Sequence, residues 1–416
     1  MSTPNIETLA FGYTLTFDEE QIVAKVSLIH AHRDGRVTAE VEWTTIDGGY
    51  LHESQFNLSA SSTMKQQAKY LAQRDSEANP GNSLTEAQWG TLVESVCRHT
   101  KRLTRVGEEA KEIWPQGEDI PPPKYLLFPV LQENQVNLIF GDKQAGKTQE
   151  SMLFCAVIGL PWHDNPFGFG VPSNPVKTLW LDWETDEESF NYLYNELQRG
   201  MGMVLPPIYY RHCKSSLPND IEQIAHWVEK TKATFIVVDH IGLAAGGPLN
   251  DDITATGYFA AIRQLNVTSL HLGHQSKDPN TKKKSTFGSA FWEFIPRTIW
   301  ELKKLSDSED TLDTVMTLTK RNIGIKPPPF GMRFSYNGAG THVEKFNPND
   351  IAEFVQQTSA SNRIYLYLKK GQANSTAIYE ELGIPKDTVY KTLKRMEQKG
   401  TVIKVGSDYA LVRKDE

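Results

Sequence analysis

The feature that most constrains the fold of this chain is a glycine-rich segment, residues 141–148, with the sequence GDKQAGKT. It directly follows an apolar run, residues 136–140, which is typical of a buried strand. After it, apolar residues recur from Met152 to Ile158 at the spacing of a helix face. A strand, a glycine-rich loop and a helix in this order favour a functional loop in an α/β sheet over a chance glycine turn.

The residue types of this loop suit the binding of phosphate groups. In the pattern G-x-x-x-x-G-K-T, backbone N–H groups of the loop and of the following helix point at phosphate oxygens. Lys147 supplies a positive charge, Thr148 offers a hydroxyl ligand to Mg²⁺, and the glycines let the backbone approach closely. We therefore expect ATP and Mg²⁺ to bind here. The expected nucleotide-binding residues are Gly141, Asp142, Lys143, Gln144, Ala145, Gly146, Lys147, Thr148 and Gln149.

A second strand signal supplies a partner for the Mg²⁺ ion. Residues 235–238 form an apolar run that closes on one carboxylate, Asp239. A buried parallel strand would carry this acid to the carboxyl edge of the sheet, where the glycine-rich loop also lies. We expect Thr148 and Asp239 to be the metal ligands. The alternative is a core strand with an exposed acid at its end.

The composition limits the class of protein. A chain of 416 residues suits two to four domains. No apolar run approaches the roughly 20 residues needed to span a bilayer, and the N-terminus lacks a basic region followed by an apolar one. We therefore expect a cytoplasmic protein with no membrane partner. The three cysteines are widely separated, which argues against a zinc site or a disulfide framework.

The patterns predict three domains joined by two linkers. Short alternating runs, a hairpin signal at Asp34-Gly35 and two helical patterns predict an α+β domain over residues 1–112, whose role is open among self-association, DNA contact and partner docking. The proline-rich residues 113–124 predict a linker. Strand and helix signals alternate over residues 125–346 and predict a mostly parallel sheet with helices on its faces. Residues 347–360 are expected to link this core to residues 361–416.

The last region predicts a winged helix-turn-helix, because three helical patterns are followed by a β-hairpin signal. It carries eleven Lys/Arg against seven Asp/Glu, while the whole chain has a formal charge of -7. A local basic module is thus compatible with an acidic chain. The third helix would fit the major groove of DNA, and the alternative is a winged helix that docks a protein. The expected DNA-binding residues of this helix are Lys386, Thr388, Lys391, Lys394 and Arg395.

Over residues 125–344 the chain resembles the RecA-like ATPases, and within them the RepA-type plasmid helicases and their phage and mobile-element relatives. The resemblance is carried by GDKQAGKT, LDWE, IVVD, HLGHQSK, FGSAFWEFIPRTIWEL and KRN. It implies a RecA-like core and ATP hydrolysis. It also implies that Glu184 positions the attacking water, a role that the chemistry requires of some carboxylate. The alternative for Glu184 is an acid that stabilises the start of the next helix.

The same resemblance implies roles for other residues of the core. His274 or Gln275 would sense the γ-phosphate at a strand end. The loops at residues 242–252 and 277–287 would contact single-stranded DNA, and lysines suit that contact. These candidates are Lys277, Lys282, Lys283 and Lys284. The alternative is a solvated charged loop.

Ring-forming relatives complete each ATP site with a basic finger from the neighbouring subunit. By resemblance Lys320 and Arg321 are candidates for that finger, with Arg297 as a rival. Their adjacent positions depart from the Lys-x-Arg spacing of the hexameric replicative helicases. The expected function is an ATP-driven DNA motor, a hexameric helicase of a mobile element that acts with replication or mobile-element proteins on single-stranded or duplex DNA. The alternatives are a non-unwinding loader or recombination mediator, and a DNA-binding regulator that ATP switches.

Overall fold

The computed structural model describes residues 3–9, 12–31, 35–105, 110, 112, 114, 123–275, 288–323 and 326–412. The chain divides into two compact units. The first consists of residues 1–122, 215–232 and 257–266. The second consists of residues 123–214, 233–256 and 267–416. Among the described residues, no helix is both long enough and apolar enough to cross a membrane.

The first unit is built on a five-stranded antiparallel sheet followed by two helices. The strands pair in chain order. They are β1 (Asn5–Leu9), β2 (Gly12–Phe17), β3 (Ile22–Ala31), β4 (Val37–Thr45) and β5 (Tyr50–Asn57), and the helices are α1 (Ser61–Ala78) and α2 (Glu86–Arg105). The predicted α+β character is confirmed, as is the antiparallel pairing around the hairpin signal, although Asp34 lies outside the described residues.

The core of this unit forms because strand residues alternate between the sheet's two faces. In β4 the odd positions from Val37 to Trp43 are buried, and Trp43 meets Trp89 of α2 edge to face at 5.5 Å between ring centroids. Helix α2 begins with a capping box, in which Thr85 N–H donates to the side-chain oxygen of Gln88 at 2.9 Å. The short-range signals of this region therefore agree with its fold.

The second unit contains a nine-stranded sheet in the order β10-β9-β11-β12-β8-β13-β14-β15-β16. Its first six strands are parallel and the pairings after β13 are antiparallel. The strands are β8 (Val136–Gly141), β9 (Thr178–Asp182), β10 (Tyr209–His212), β11 (Phe235–Asp239), β12 (Thr268–His274), β13 (Thr298–Asp307), β14 (Thr311–Arg321), β15 (Phe330–Asn337) and β16 (Gly340–Phe346). A two-stranded ribbon precedes them, β6 (Tyr125–Leu127) with β7 (Leu131–Gln132).

Helices connect the parallel strands, as the alternation of the sequence predicted. They are α3 (Lys147–Gly159), α4 (Glu187–Met201), α5 (Ile221–Thr231), α6 (Ile241–Ala244), α7 (Asp252–Gln264) and α8 (Phe291–Phe294). Of these, α5 and part of α7 belong to the first unit. The expected loop at residues 242–252 instead begins with α6, and the His240 side chain caps this helix by accepting a bond from Gly242 N–H.

The register of the parallel strands brings their carboxyl ends together. Gly141 of β8 pairs with His274 of β12, and Asp182 of β9 pairs with Asp239 of β11. The predicted mostly parallel sheet is thus confirmed. The antiparallel extension β15–β16 was not predicted, because prolines at 327–329 precede it and glycines at 338 and 340 interrupt its alternation. It is fixed to β14 by two bonds of 2.7 Å from Arg333 to Asp313.

The C-terminal region of this unit is a winged helix, as predicted. A 3-10 turn (Pro348–Asp350) and α9 (Ala352–Gln357) occupy the expected linker. They are followed by α10 (Ala360–Lys369), β17 (Ala373–Asn374), α11 (Ser375–Leu382), α12 (Lys386–Gln398), β18 (Val402–Val405) and β19 (Asp408–Leu411). The last three strands pair in the order β17-β19-β18. Apolar side chains of the three helices and β18 form one cluster.

Candidate active site

The loop between β8 and α3 has a conformation that only glycine satisfies at two positions. Gly146 has a φ of +81°, in the left-handed region. At Gly141, which pairs with β13, a Cβ would lie 2.2 Å from the carbonyl oxygen of Leu302. Helix α3 begins at Lys147, immediately after the left-handed residue. The first backbone N–H groups of a helix have no partner within it, so those at the start of α3 are available to bind a phosphate held by the loop.

Lys147 is nearly buried beneath this loop. Its Nζ donates to the carbonyl oxygens of Asp142 at 2.8 Å and Gly141 at 3.3 Å. Burial lowers the pKa of the Lys147 ammonium, and the nearby carboxylates of Asp239 and Glu184 act in the opposite direction. The Lys147 ammonium thus lies among backbone oxygens and carboxylates, where it could also bind a phosphate.

The two predicted metal ligands lie side by side. Thr148 Oγ1 donates to Asp239 Oδ2 at 2.8 Å. Asp239 is only 4% exposed, and burial raises the pKa of its carboxyl to about 7, with Asp182 and Glu184 adding to the effect. A hydroxyl and a crowded carboxylate are hard oxygen donors of the kind that Mg²⁺ prefers. These residues therefore fit a magnesium ion.

The turn after β9 is shaped by Asp182, whose role the sequence reasoning missed. Its carboxylate accepts bonds from the backbone N–H groups of Glu184 at 2.8 Å and Thr185 at 2.9 Å. The hydroxyl of Thr185 donates to the same carboxylate. This is an Asx-type turn, and the local pattern D-x-x-T was the signal that could have revealed it. The turn leaves the Glu184 side chain half exposed, at 50%.

Two histidines meet Glu184 at the carboxyl edge of the sheet. His240 Nε2 lies 3.5 Å from Glu184 Oε2, and the rings of His240 and His274 contact edge to face with centroids 4.6 Å apart. Their ligand atoms all lie within 4.8 Å of one another. His274 is one of the predicted sensors, and the backbone N–H of the other, Gln275, donates to Gly141 O at 3.1 Å. His240 was not predicted.

A cleft of about 940 Å³ opens over these groups. Its size is within the range of small-molecule sites. The antiparallel extension supplies one wall, with Asp307, Leu312 and Tyr336, and the Tyr336 hydroxyl donates to Gln149 Oε1 at 2.8 Å. The sequence did not reveal this wall, because its residues are more than 150 positions from the glycine-rich loop and are brought close only by sheet pairing.

Comparison with known families agrees with this geometry. Residues 105–280 match the family model described as an AAA domain. The chain therefore carries a P-loop ATPase domain. Residues 359–414 match the family model of the sugar-specific transcriptional regulator TrmB, in agreement with the winged-helix fold of the C-terminal region. No match to this chain was found among curated proteins.

The predicted finger residues lie away from the P-loop of their own ATPase domain. Lys320 pairs with Ile299, which in turn pairs with Leu138 of β8. Leu138 is three residues, roughly 10 Å, before the end of β8 at the P-loop. Lys320 Nζ donates to three backbone carbonyls at 2.7–2.8 Å, which cap α8. Arg321 stacks over the Tyr125 ring at 5.4 Å. Arg297 is exposed and its N–H donates to Val136 O, so it lies at the same far edge.

The winged helix presents its predicted DNA-binding residues to solvent. Val389, Leu393 and Met396 bury one face of α12. The other face exposes Lys386, Thr388, Lys391, Lys394 and Arg395. Exposed lysines and arginine on a helix with a buried opposite face suit contact with phosphates. Of the predicted loop contacts of the ATPase domain, Lys277, Lys282, Lys283 and Lys284 lie outside the described residues.

Proposed function

We propose that this protein is an ATP-driven DNA motor of the helicase type. The observation that carries the proposal is the meeting of Glu184, Lys147, Thr148 and Asp239 around one cleft. Lys147, Thr148 and Asp239 are sufficient to hold phosphate and Mg²⁺, whereas the half-exposed carboxylate of Glu184 next to them suits hydrolysis. The winged-helix domain supports DNA as the partner of that hydrolysis.

The proposed reaction is the transfer of the γ-phosphoryl group of ATP to water. The oxygen of water forms a bond to the γ-phosphorus while the bond to the bridging oxygen of ADP breaks. Glu184 orients this water and accepts its proton, and Lys147 stabilises negative charge on the phosphates. Mg²⁺, when bound by Thr148 and Asp239, would neutralise further phosphate charge. ADP and inorganic phosphate are the products.

We propose that copies of the chain assemble so that one copy completes the site of the next. Arg297, Lys320 and Arg321 lie level with the first three residues of β8 rather than with its P-loop end, which favours action on another copy's nucleotide. This supports a ring, and by resemblance a hexamer. Lys320 already caps α8, which favours Arg321 or Arg297 as the group that acts across the interface.

The segments after β11 and β12 support coupling between the ATP site and DNA. Backbone N–H of Ser289 donates to Leu249 O at 2.7 Å, and Trp292 Nε1 donates to the same oxygen at 2.8 Å. A Cβ at Gly288 would lie 2.2 Å from that oxygen. The segment that follows β11 is thus hydrogen-bonded to the segment that follows the predicted DNA-binding loop at residues 277–287.

One observation favours a second candidate function. The C-terminal match is to a transcriptional regulator. In that case ATP would switch DNA binding without strand separation. The regulator would show a nucleotide-dependent change in duplex affinity, whereas the motor requires sustained turnover with DNA.

The deciding experiment is steady-state ATP hydrolysis with and without forked DNA, together with strand displacement. We expect Glu184→Gln to lower the hydrolysis rate by about 10²–10⁴-fold, the usual contribution of a general base. Glu187→Gln changes an exposed acid in the first turn of α4 and is the matched control. Survival of the rate in Glu184→Gln would remove Glu184 from the reaction. DNA-stimulated hydrolysis without displacement would favour a loader or recombination mediator.

Assembly is tested by mixing wild-type protein with Arg321→Ala or Arg297→Ala protein. If the arginine acts on the neighbouring site, activity should fall more steeply than dilution predicts, because each variant subunit also silences its neighbour. A linear fall for both variants would refute the shared site.

A further inference from the structure

His240 has a fixed proton arrangement that follows from one backbone contact. Gly242 N–H donates to His240 Nδ1 at 2.9 Å, so the lone pair of the ring is on Nδ1. In the neutral imidazole the proton must then be on Nε2. Gly242 allows this approach, because a Cβ there would lie 2.6 Å from Cε1 of His240. The ring is only 11% exposed and is thus held in a single orientation.

The ring nitrogen Nε2 is the one next to the carboxylate that the proposed mechanism uses. Nε2 lies 3.5 Å from Glu184 Oε2, and the turn at Asp182 sets the backbone of Glu184 but not its side chain. A half-exposed glutamate has several accessible rotamers, so an additional contact is needed to select one. His240 is the histidine in a position to do this by donating to the carboxylate.

The same cluster does not suit a metal ion as well. Glu184, His240 and His274 together offer the ligand types that bind zinc. A histidine that coordinates metal through Nε2 carries its proton on Nδ1 and donates it to an acceptor. At His240 that proton would face the N–H of Gly242, donor against donor. The backbone therefore favours donation to Glu184 over coordination.

His240 also touches the strand end that carries the predicted sensor. Its ring contacts His274 edge to face at 4.6 Å, and His274 pairs in register with Gly141 at the start of the P-loop. His240 thus lies between the residue proposed to activate water and the strand end next to the phosphate site. A shift of His274 would be transmitted to Glu184 through one ring.

We propose that His240 is a positioning residue for ATP hydrolysis, which donates Nε2–H to Glu184 and links the orientation of this carboxylate to His274. The inference rests on the proposed role of Glu184. His240 keeps its proton throughout the reaction, since the proton of water passes to Glu184. In this proposal the ring acts through Glu184, so its effect should be on turnover rather than on nucleotide affinity.

Two substitutions separate the two nitrogens of the ring. Asn in His240→Asn offers an acceptor near the Nδ1 position, which preserves the cap of α6, but is too short to reach Glu184. Gln in His240→Gln extends a donor toward the Nε2 position. We expect His240→Asn to lower kcat about 10–100-fold with KM for ATP changed less than threefold, and His240→Gln to recover part of the loss. His342→Asn, at an exposed histidine of β16, is the control and should match wild type.

The coupling to Glu184 is tested by a double variant. If His240 acts through Glu184, the Glu184→Gln, His240→Asn protein should hydrolyse ATP no more slowly than Glu184→Gln alone. Multiplying losses, or a kcat of His240→Asn within twofold of wild type, would overturn the inference while Glu184→Gln still reports on the proposed function. Full activity of Glu184→Gln would overturn both. Circular dichroism and titration with a fluorescent ATP analogue verify that each variant is folded and binds nucleotide.

Discussion

The stability of the ATPase domain should depend on pH through one buried histidine, His271. It lies in β12 between Leu138 of β8 and Val238 of β11 and has no exposed surface. Its Nε2 lies 2.9 Å from the hydroxyl of Ser269. Burial lowers the pKa of the His271 imidazole from 6.5 to about 3. The folded protein therefore keeps this ring neutral at a pH where the unfolded chain protonates it.

The sign and size follow from proton linkage. Between pH 6.5 and about 3 the unfolded chain binds one more proton than the folded protein, so acid favours unfolding. Above pH 6.5 His271 is neutral in both states, and the free energy of unfolding is not reduced by this group. At about 1.4 kcal/mol per pH unit, the loss at pH 5 is about 2 kcal/mol, and it approaches about 5 kcal/mol near pH 3. His271→Leu removes this term. Its lost bond to Ser269 costs about 1 kcal/mol at every pH.

The assay is urea unfolding at pH 7.5 and pH 5, followed by near-ultraviolet circular dichroism. The transition to compare is the one that a bound ATP analogue shifts, because that transition reports the nucleotide-binding domain. The stability of His271→Leu relative to wild type should improve by about 2 kcal/mol on going to pH 5. His342→Leu, at an exposed position, should leave the pH dependence unchanged. An equal difference between His271→Leu and wild type at both pH values would refute the reasoning.

Two further predictions concern nucleotide and DNA affinity. Gly146→Ala should weaken binding of a fluorescent ATP analogue at least 10-fold, because residue 146 has a φ of +81° and the new Cβ would lie 2.9 Å from Leu312. Gly202→Ala is the control, since residue 202 has a φ of +63° but open space around it, and it should lower stability without changing affinity. Equal affinities for both variants would contradict this prediction. Lys391→Glu with Lys394→Glu should weaken duplex binding and reduce the slope of log affinity against log salt by about 1.8, at about 0.9 per lost phosphate contact, while basal hydrolysis persists. An unchanged duplex affinity would assign the winged helix to protein docking.

The sequence predicted the parts of the site that are encoded locally. The loop at residues 141–148 and Asp239 each follow a buried apolar run, and such a run reports both a strand and its end. Glu184 was predicted by resemblance, and the Asx turn explains its location. What the sequence did not predict depends on pairing between distant segments. Tyr336 reaches Gln149 only because β14 and β15 extend the sheet.

His240 and Lys320 illustrate two different reasons for incomplete prediction. The bond from Gly242 to His240 is local, but its meaning depends on Glu184, which is 56 positions away and aligned by the pairing of β9 with β11. Lys320 was predicted, by resemblance to ring-forming ATPases, as a candidate for the basic finger. Its three carbonyl partners come from the end of a short helix that the sequence pattern did not indicate. Whether it acts across an interface stays a prediction.

The composition of the first unit has a consequence for how the chain can be shortened. Residues 215–232 and 257–266 belong to the same compact unit as the N-terminal sheet, and Glu222 accepts a bond of 2.5 Å from the backbone of Leu28. Removal of residues 1–112 would therefore take away the packing partners of α5 and of part of α7, so the remaining chain would not keep these helices packed. The compact unit that contains the N-terminal sheet thus also includes later segments of the chain, and these segments complete it.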